Sequence, residues 1–291
     1  MDADRCDDGA VQGDPAARVT TVVISRNRRS ELLQSLRRHT GPVVLVDNAS
    51  VDGTVEAVSR ELPEVSLIAL STNEGAVARN RGARAARTPY VAFADDDSWW
   101  APGSLERAAD ILDAHDRVAL IAARVLVGSR QEPDPFCEVL IRSPLPAREG
   151  LPGTPVLGFM ACAAIVRRDA FLAVGGFDDV VEFVGEEERV ALDLAEQGWD
   201  LLHVPELVVH HHPSPVRSGR GARTRRVVRN SVLTALMRRS WPVVLARTAR
   251  HATRDVDGAL GVAAALPRVT RAVAVRGPVG RPVEEVARLL E

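Results

Sequence analysis

Four short runs of apolar and β-branched residues fall within the first hundred positions, and each ends in a polar turn. Residues 19–25 (VTTVVIS) form the first run; Arg26-Asn27-Arg28 follows, and Leu32, Leu33 and Leu36 then recur at helical spacing. Residues 43–46 stop at Asp47, where Ser50 and Asp52-Gly53 supply turn and capping chemistry ahead of a helix over 55–62. Residues 65–70 repeat the strand signal before a helix over 76–86, and residues 90–94 run directly into Asp95-Asp96-Asp97. This alternation predicts an α/β fold, a largely parallel sheet with helices on both faces. Ligands of such sheets bind beyond the carboxyl ends of the strands. That edge gathers Arg26-Asn27, Asp47-Asn48, Asn73-Glu74-Gly75 and the three aspartates. One polar turn needs no functional explanation; four of them with a triple aspartate point to a site.

Further along, residues 128–157 are rich in Pro and Gly without a period, which predicts a long loop facing that site. Residues 158–166 are strand-like, and a Gly175-Gly176 turn leads through Phe183-Val184-Gly185 to a helix over 186–197. Residues 201–209 predict another strand, broken by Pro205 and ending in His210-His211-His212. From Arg217 onward the chain is rich in arginine and alanine, with Val228, Val232, Leu233, Leu236 and Met237 at helical positions. The expected organisation is a disordered leader over 1–17, an α/β domain over 18–215 and a basic helical extension over 216–291, with no internal repeat.

A chain of 291 residues, 46% hydrophobic and 26% charged, can bury one full-sized core and still carry an appendage. Its 37 basic residues are all arginine against 39 acidic ones, and this near balance says nothing about a polyanionic partner. The distribution says more: residues 213–291 hold 16 Arg and 5 acids, and residues 1–212 hold 21 Arg and 34 acids. A tail of +11 on a body of −13 suits a surface that meets anionic lipid, nucleic acid or an acidic partner, and equally a basic helical layer folded on its own acidic domain. Cys6, Cys137 and Cys162 are odd in number and lack metal-ligand spacing, which fits a reducing, cytoplasmic compartment. The acidic N-terminus has no apolar segment of the signal or anchor kind, and no apolar run reaches the roughly 18–20 residues that span a bilayer.

The triple aspartate carries the strongest chemistry. Hard divalent cations prefer carboxylate and phosphate oxygens, and two carboxylates one residue apart at a strand end can grip a metal that a diphosphate also ligates. Such a cation would relieve the repulsion among Asp95, Asp96 and Asp97; the plainer role of the run is to cap the helix that starts near Pro102. Asp47 has the reach of an acid that hydrogen-bonds a base or ribose. Arg79, beside Asn80, stands where a guanidinium meets a diphosphate, holds the aspartates or makes a surface ion pair. Glu186-Glu187-Glu188 opens a helix, where the dipole favours acids and would keep a proton-abstracting carboxylate ionised. One of the three histidines is placed to add a metal ligand.

Together these segments, VVISRNRRSELL, VDNASVDGT, NEGAVARNRGARAA, YVAFADDDSWWAPGSL, GGFDDVVEFVGEEERVALDLAEQGW and PELVVHHHPSP, resemble the family 2 glycosyltransferases over roughly residues 18–215. The resemblance implies a GT-A fold and a hexosyl or deoxyhexosyl transfer from a nucleotide-diphospho-sugar, by inverting direct displacement with Mg²⁺ or Mn²⁺. It implies that Ser25, Arg26 and Asn27 line the base pocket, that Asp47 contacts the nucleobase and that Arg79 lies near the nucleotide. Asp95 and Asp96 would face the diphosphate, with Asp97, Asp95 and His211 at the metal; the register among the three histidines stays open. Glu187 matches the base position, with Glu186 the fallback. Arg189 stands where many members carry another acid and Asp193 where they carry a basic residue, as if the pair had exchanged partners.

Implied partners are the donor and a lipid, glycan or small-molecule acceptor hydroxyl, as in cell-envelope polysaccharide synthesis, and not nucleic acid. The basic extension would meet the inner face of the membrane, a second copy of the chain, or its own domain. A dinucleotide oxidoreductase is excluded because the first loop, SRNRRS, has no glycine, and a sugar nucleotidyltransferase fails for the same reason. The remaining alternative is a non-catalytic nucleotide-sugar-binding or envelope-scaffold protein built on the same domain.

Overall fold

The computed structural model describes residues 17–213 and 219–291. Residues 1–16 of the expected leader, Cys6, and the expected boundary at 215 lie outside the described residues. Strands β1 (Val19–Ser25), β2 (Val43–Asp47), β3 (Ser66–Ala69) and β4 (Tyr90–Asp95) alternate with helices α1 (Arg29–Leu36), α2 (Thr54–Glu61) and α3 (Ala78–Ala85), as the periodicity predicts. After β4 come β5 (Ser98–Trp100), α4 (Ser104–Ala114), β6 (Val118–Val127), β7 (Glu132–Pro133), α5 (Pro135–Ile141), β8 (Thr154–Pro155), β9 (Ala164–Arg167) and α6 (Arg168–Ala173). Helix α7 (Glu187–Glu196) and β10 (Asp200–His211) complete the domain. The extension consists of α8 (Arg220–Arg238), α9 (Trp241–Arg254), α10 (Val256–Ala265), α11 (Val269–Ala274) and α12 (Arg281–Arg288).

The sheet runs β3-β2-β1-β4-β9-β6-β10-β5, with β7 on β6 and β8 on β10. Pairing is parallel among β3, β2, β1 and β4 and again between β6 and β10, but β9 is antiparallel to both β4 and β6 and joins the two halves. The sheet is therefore more mixed than the alternation of its first half suggests. Strand β6, VALIAARVLV, is buried along most of its length and shows no alternation, so periodicity gives it no signature. The stretch 128–157 is not all loop: Asp134 caps α5 by accepting from the Phe136 N–H, and Pro135 takes the first helical position, where no N–H is needed. Pro205 does not end β10. The register jumps from Val204 opposite Ala123 to Val208 opposite Arg124, so Pro205 sits in a bulge outside the ladder.

Close packing of α3 on the sheet sets up the site. A Cβ on Gly82 would lie 2.4 Å from Val22 Cγ1, so the glycine allows α3 to approach β1, and Arg79 one turn earlier is fully buried. The extension packs on the same domain. Val180 and Val181, ahead of α7, share an apolar cluster with Val232, Leu233, Leu236, Met237 and Val244 of α8 and α9. Arginines of the extension pair with acids of the domain: Arg238 with Asp193 at 2.5 Å, Arg271 with Asp179 at 2.6 Å, and Arg247 with Glu188 at 2.7 Å. The opposite charges of tail and body thus meet within one chain.

Candidate active site

A cleft of about 700 Å³ opens at the carboxyl ends of β1, β2 and β4. One wall consists of Ser25, Arg26 and Arg28 after β1, Asn48 after β2, and Asn73 and Gly75 after β3; the floor carries Arg79 and Asp95-Asp96-Asp97. The opposite wall comes from Ala161 and Cys162 before β9, Phe183, Val184, Glu186 and Glu187 before and at the start of α7, and His211 at the end of β10. Segments more than a hundred residues apart thus converge because parallel strands deliver their ends to one edge.

Arg79 is the hub. Its Nη2 donates to Asp95 Oδ1 at 2.6 Å, its Nη1 reaches Glu186 Oε1 at 3.4 Å, and the rings of Phe183 and Phe177 flank it with centroids at 4.9 and 5.4 Å. The facing carboxylates outweigh the desolvation of burial, so the guanidinium stays cationic. Arg79 thereby ties the aspartate run to the glutamate run. Asp96 accepts from Ser25 Oγ at 3.0 Å, and burial, with Asp95 and Asp97 on either side, pushes its carboxyl up to about 7.

The histidine register is resolved by the pleat. Because successive strand residues face opposite sides, His211 Nε2 meets Asp97 Oδ1 at 3.2 Å, whereas His210 and His212 pack on Trp99 on the far side, with ring centroids at 5.5 and 4.8 Å. Antiparallel pairing of β5 with β10 sets Ser98 opposite His211 and so brings Asp97 alongside. Among the described residues no group of three or more His, Cys, Asp or Glu side chains is placed to hold a metal ion by itself. The Asp97 carboxylate and the His211 ring stand together at 3.2 Å, and a hard cation there would need waters and phosphate oxygens as its other ligands.

The three glutamates divide. Glu188 points away and pairs with Arg247 of the extension. Glu186 is buried; Oε2 has no partner among the described residues, and burial, then the neighbouring Glu187, raises its carboxyl to about 8. Glu187 is half-buried on the cleft wall, where its Oε1 accepts the Ala161 N–H at 3.2 Å, and burial raises its carboxyl as well. The expectation that the helix start would keep this acid readily ionised is corrected: backbone N–H groups act in that direction, but desolvation is larger.

Two expected nucleotide-side residues do not line the cleft. Asn27 braces the adjacent turn: its N–H donates to Ser50 Oγ at 2.9 Å, and its Oδ1 accepts from the Val51 N–H at 2.8 Å. Asp47 lies behind Asn48, 1% exposed, with Oδ2 accepting from the Ser50 N–H at 2.8 Å and Oδ1 lacking a partner among the described residues. Asn48, which carried no role in the sequence reading, links the two loops by donating to Gly75 O and accepting from the Glu74 N–H. Arg189 and Asp193 do pair with each other, i to i+4, and Asp193 also takes Arg238 of α8. Ala161, whose N–H holds Glu187, has no side-chain signature in the sequence.

This edge of a mixed sheet, with clustered acids facing a strand-end histidine, has the layout of a GT-A sugar transferase, and residues 20–175 match the family described as Glycosyl transferase family 2. The chain belongs to that family. It is 30% identical over 207 residues to the N-acetylglucosaminyl-diphospho-decaprenol L-rhamnosyltransferase of Mycobacterium tuberculosis, covering 58% of this chain and 66% of that one. It is 32% identical over 216 residues to the pre-mycofactocin glycosyltransferase of the same organism, covering 70% of this chain and 45% of the relative. The chain thus spans just under two thirds of the first relative and less than half of the second. The fold is shared with the mannosyltransferase PcManGT of Pyrobaculum calidifontis, solved with GDP-Man and Mn²⁺ (TM-score 0.56, 23% identity, 96% of this chain and 81% of that one). It is also shared with S. aureus TarS 1–349, solved with UDP-GlcNAc (TM-score 0.59, 16% identity, 93% and 84%).

Proposed function

We propose that this protein transfers a sugar from a nucleotide-diphospho-sugar to an acceptor hydroxyl by direct displacement with inversion. The observation that carries the reading is the placement of Asp97 with His211, and of Glu187 with Glu186, on one cleft bridged by Arg79. Ser25, Arg26 and Arg28 form the wall that would receive the nucleotide. Asp97, Asp95 and His211 would hold Mg²⁺ or Mn²⁺, which when bound neutralises charge on the leaving diphosphate. Asp96, whose carboxyl is raised by burial and then by its flanking acids, braces this run through Ser25.

Glu187 takes the proton of the attacking hydroxyl. It is oriented by the Ala161 N–H, and burial raises its basicity toward the range in which a general base works best near neutral pH. Glu186, behind it and tied to Arg79, is the fallback for that role and holds the hub in place. The test is calorimetry with UDP, GDP and dTDP and Mn²⁺, with and without chelator. One nucleotide should bind selectively, and Asp97→Asn or chelation should weaken it at least about tenfold, the loss of one strong charge-assisted contact. If no nucleotide binds the folded protein, the transferase reading is lost.

The extension is also proposed to rest on the inner face of a membrane. Among the described residues, ten of the thirteen large exposed apolar side chains lie between 227 and 290, including Trp241 and Leu245 one turn apart on α9. Apolar side chains interleaved with arginine suit an anionic interface, and among the described residues no helix is long and apolar enough to cross a membrane. Because α8 and α9 share a core with the domain, the test keeps the chain whole. Flotation with anionic vesicles should fall several-fold in Trp241→Ser/Leu245→Ser and in high salt, and binding indifferent to both would remove the proposal.

A further inference from the structure

Two arginines of the extension reach the cleft itself. Arg223 and Arg226 on α8 line its mouth, and neither side chain has a hydrogen-bond or ion-pair partner among the described residues, although α8 is otherwise well paired. Arg225 meets Asp257 at 2.7 Å, Arg229 meets Glu182 at 3.2 Å, and Arg238 meets Asp193 at 2.5 Å. Arg226 is half-buried and Arg223 exposed, so the two guanidinium groups stand at the boundary between cleft and solvent.

Their position along α8 assigns them a side of the cleft. Asn230 lies one turn beyond Arg226, and its Nδ2 donates to Val184 O at 2.9 Å and to Glu182 O. Arg223, Arg226 and Asn230 follow one another at spacings of three and four, so they share a face of the helix. That face is anchored two residues before Glu186, on the wall that carries the base. The nucleotide wall, Ser25 to Arg28 with Asn48 and Gly75, is across the cleft.

Six acids line this cleft, namely Asp95, Asp96, Asp97, Asp134, Glu186 and Glu187. An anionic acceptor approaching the base wall would be repelled by them unless cations stood at its entry. Guanidinium forks match phosphate oxygens in a bidentate way that a solvated surface arginine does not need.

We propose that Arg223 and Arg226 form a phosphate seat on the acceptor side of the cleft, and that the acceptor therefore carries a phosphate or diphosphate group close to its reacting hydroxyl. The proposal rests on the transferase reading for which side is the acceptor's. The seat holds the acceptor's anionic group at the mouth of the cleft, while the hydroxyl extends inward to Glu187.

The test uses the full-length chain and inorganic pyrophosphate as probe. The protein is first saturated with Mn²⁺ and the nucleoside diphosphate that it binds; pyrophosphate is then titrated calorimetrically. A further binding event is expected in the wild type, weakened at least about tenfold in Arg223→Gln/Arg226→Gln and partly restored in Arg223→Lys/Arg226→Lys. In a second arm the nucleoside diphosphate itself is titrated, and its affinity should differ by less than about twofold between wild type and the Gln double variant. A missing second event in the wild type, or one that the double variant keeps, overturns the seat. A fall in nucleotide affinity in the variant would give the arginines to the donor diphosphate and overturn the acceptor assignment. If no nucleotide binds the wild type while pyrophosphate still binds in an arginine-dependent way, the transferase reading fails and the anion seat alone stands.

Discussion

Replacing Glu187 by Gln is expected to lower the rate of transfer about 10²- to 10⁴-fold, the range supplied by a positioned general base, while nucleotide affinity changes less than about threefold. Gln preserves the shape and can still accept the Ala161 N–H, but it cannot take a proton. The pH dependence separates this role from a structural one. Burial holds the carboxyls of Glu187 and Glu186 above the usual range, Glu186 at about 8. A base works only when deprotonated, so the wild-type rate should rise with pH through neutrality and fall as acid protonates the pair. The residual rate of the Gln variant should lack that rise. Turnover unchanged in Glu187→Gln, with the loss appearing in Glu186→Gln instead, would move the base one residue back. Transfer surviving both substitutions would remove the glutamate run from catalysis.

Above about pH 8, where Glu186 is ionised, Arg79→Met should cost the fold about 3–5 kcal/mol, because it leaves one buried and one partly buried carboxylate without their shared counter-charge. Urea denaturation would show the loss as a lower midpoint with an unchanged slope. Combining Arg79→Met with Glu186→Gln should recover part of it, since a neutral amide needs no cation, and the non-additivity measures the coupling. Arg79→Lys should rescue poorly: a single ammonium cannot present two separated donors to Asp95 and Glu186 while lying between the rings of Phe177 and Phe183. A loss below about 1 kcal/mol in Arg79→Met would show that the hub is dispensable to the fold.

Much of this architecture is legible without coordinates. Strands β1 to β4 carry β-branched runs ended by polar turns, and each falls within one or two residues of its predicted bounds. In the extension the sequence marks only the apolar positions from Val228 to Met237, which lie on α8, whereas helix α7 behind Gly185 is as plain as those strands. Strand β6 is not, because a strand buried on both faces has no alternation to distinguish it from other apolar runs. The antiparallel insertion of β9 is not either, since strand direction in a sheet depends on long-range pairing that no local pattern encodes.

At the site, residue types and loops could be chosen from the motifs, but their partners could not. The sequence by itself determined that an α/β sheet would gather Asp47, Asp95-Asp96-Asp97, a glutamate run and a histidine run at one edge, because strand ends and helix starts obey local periodicity. Only the tertiary structure decided that Arg79 spans Asp95 and Glu186, that Glu188 faces the extension, that the His211 ring meets the Asp97 carboxylate, and that Arg223 and Arg226 reach the cleft. The physical reason is that these contacts depend on pleat register, on the close approach of α3 that Gly82 permits, and on the packing of α8 against segments some fifty residues earlier, all relations between distant parts of the chain.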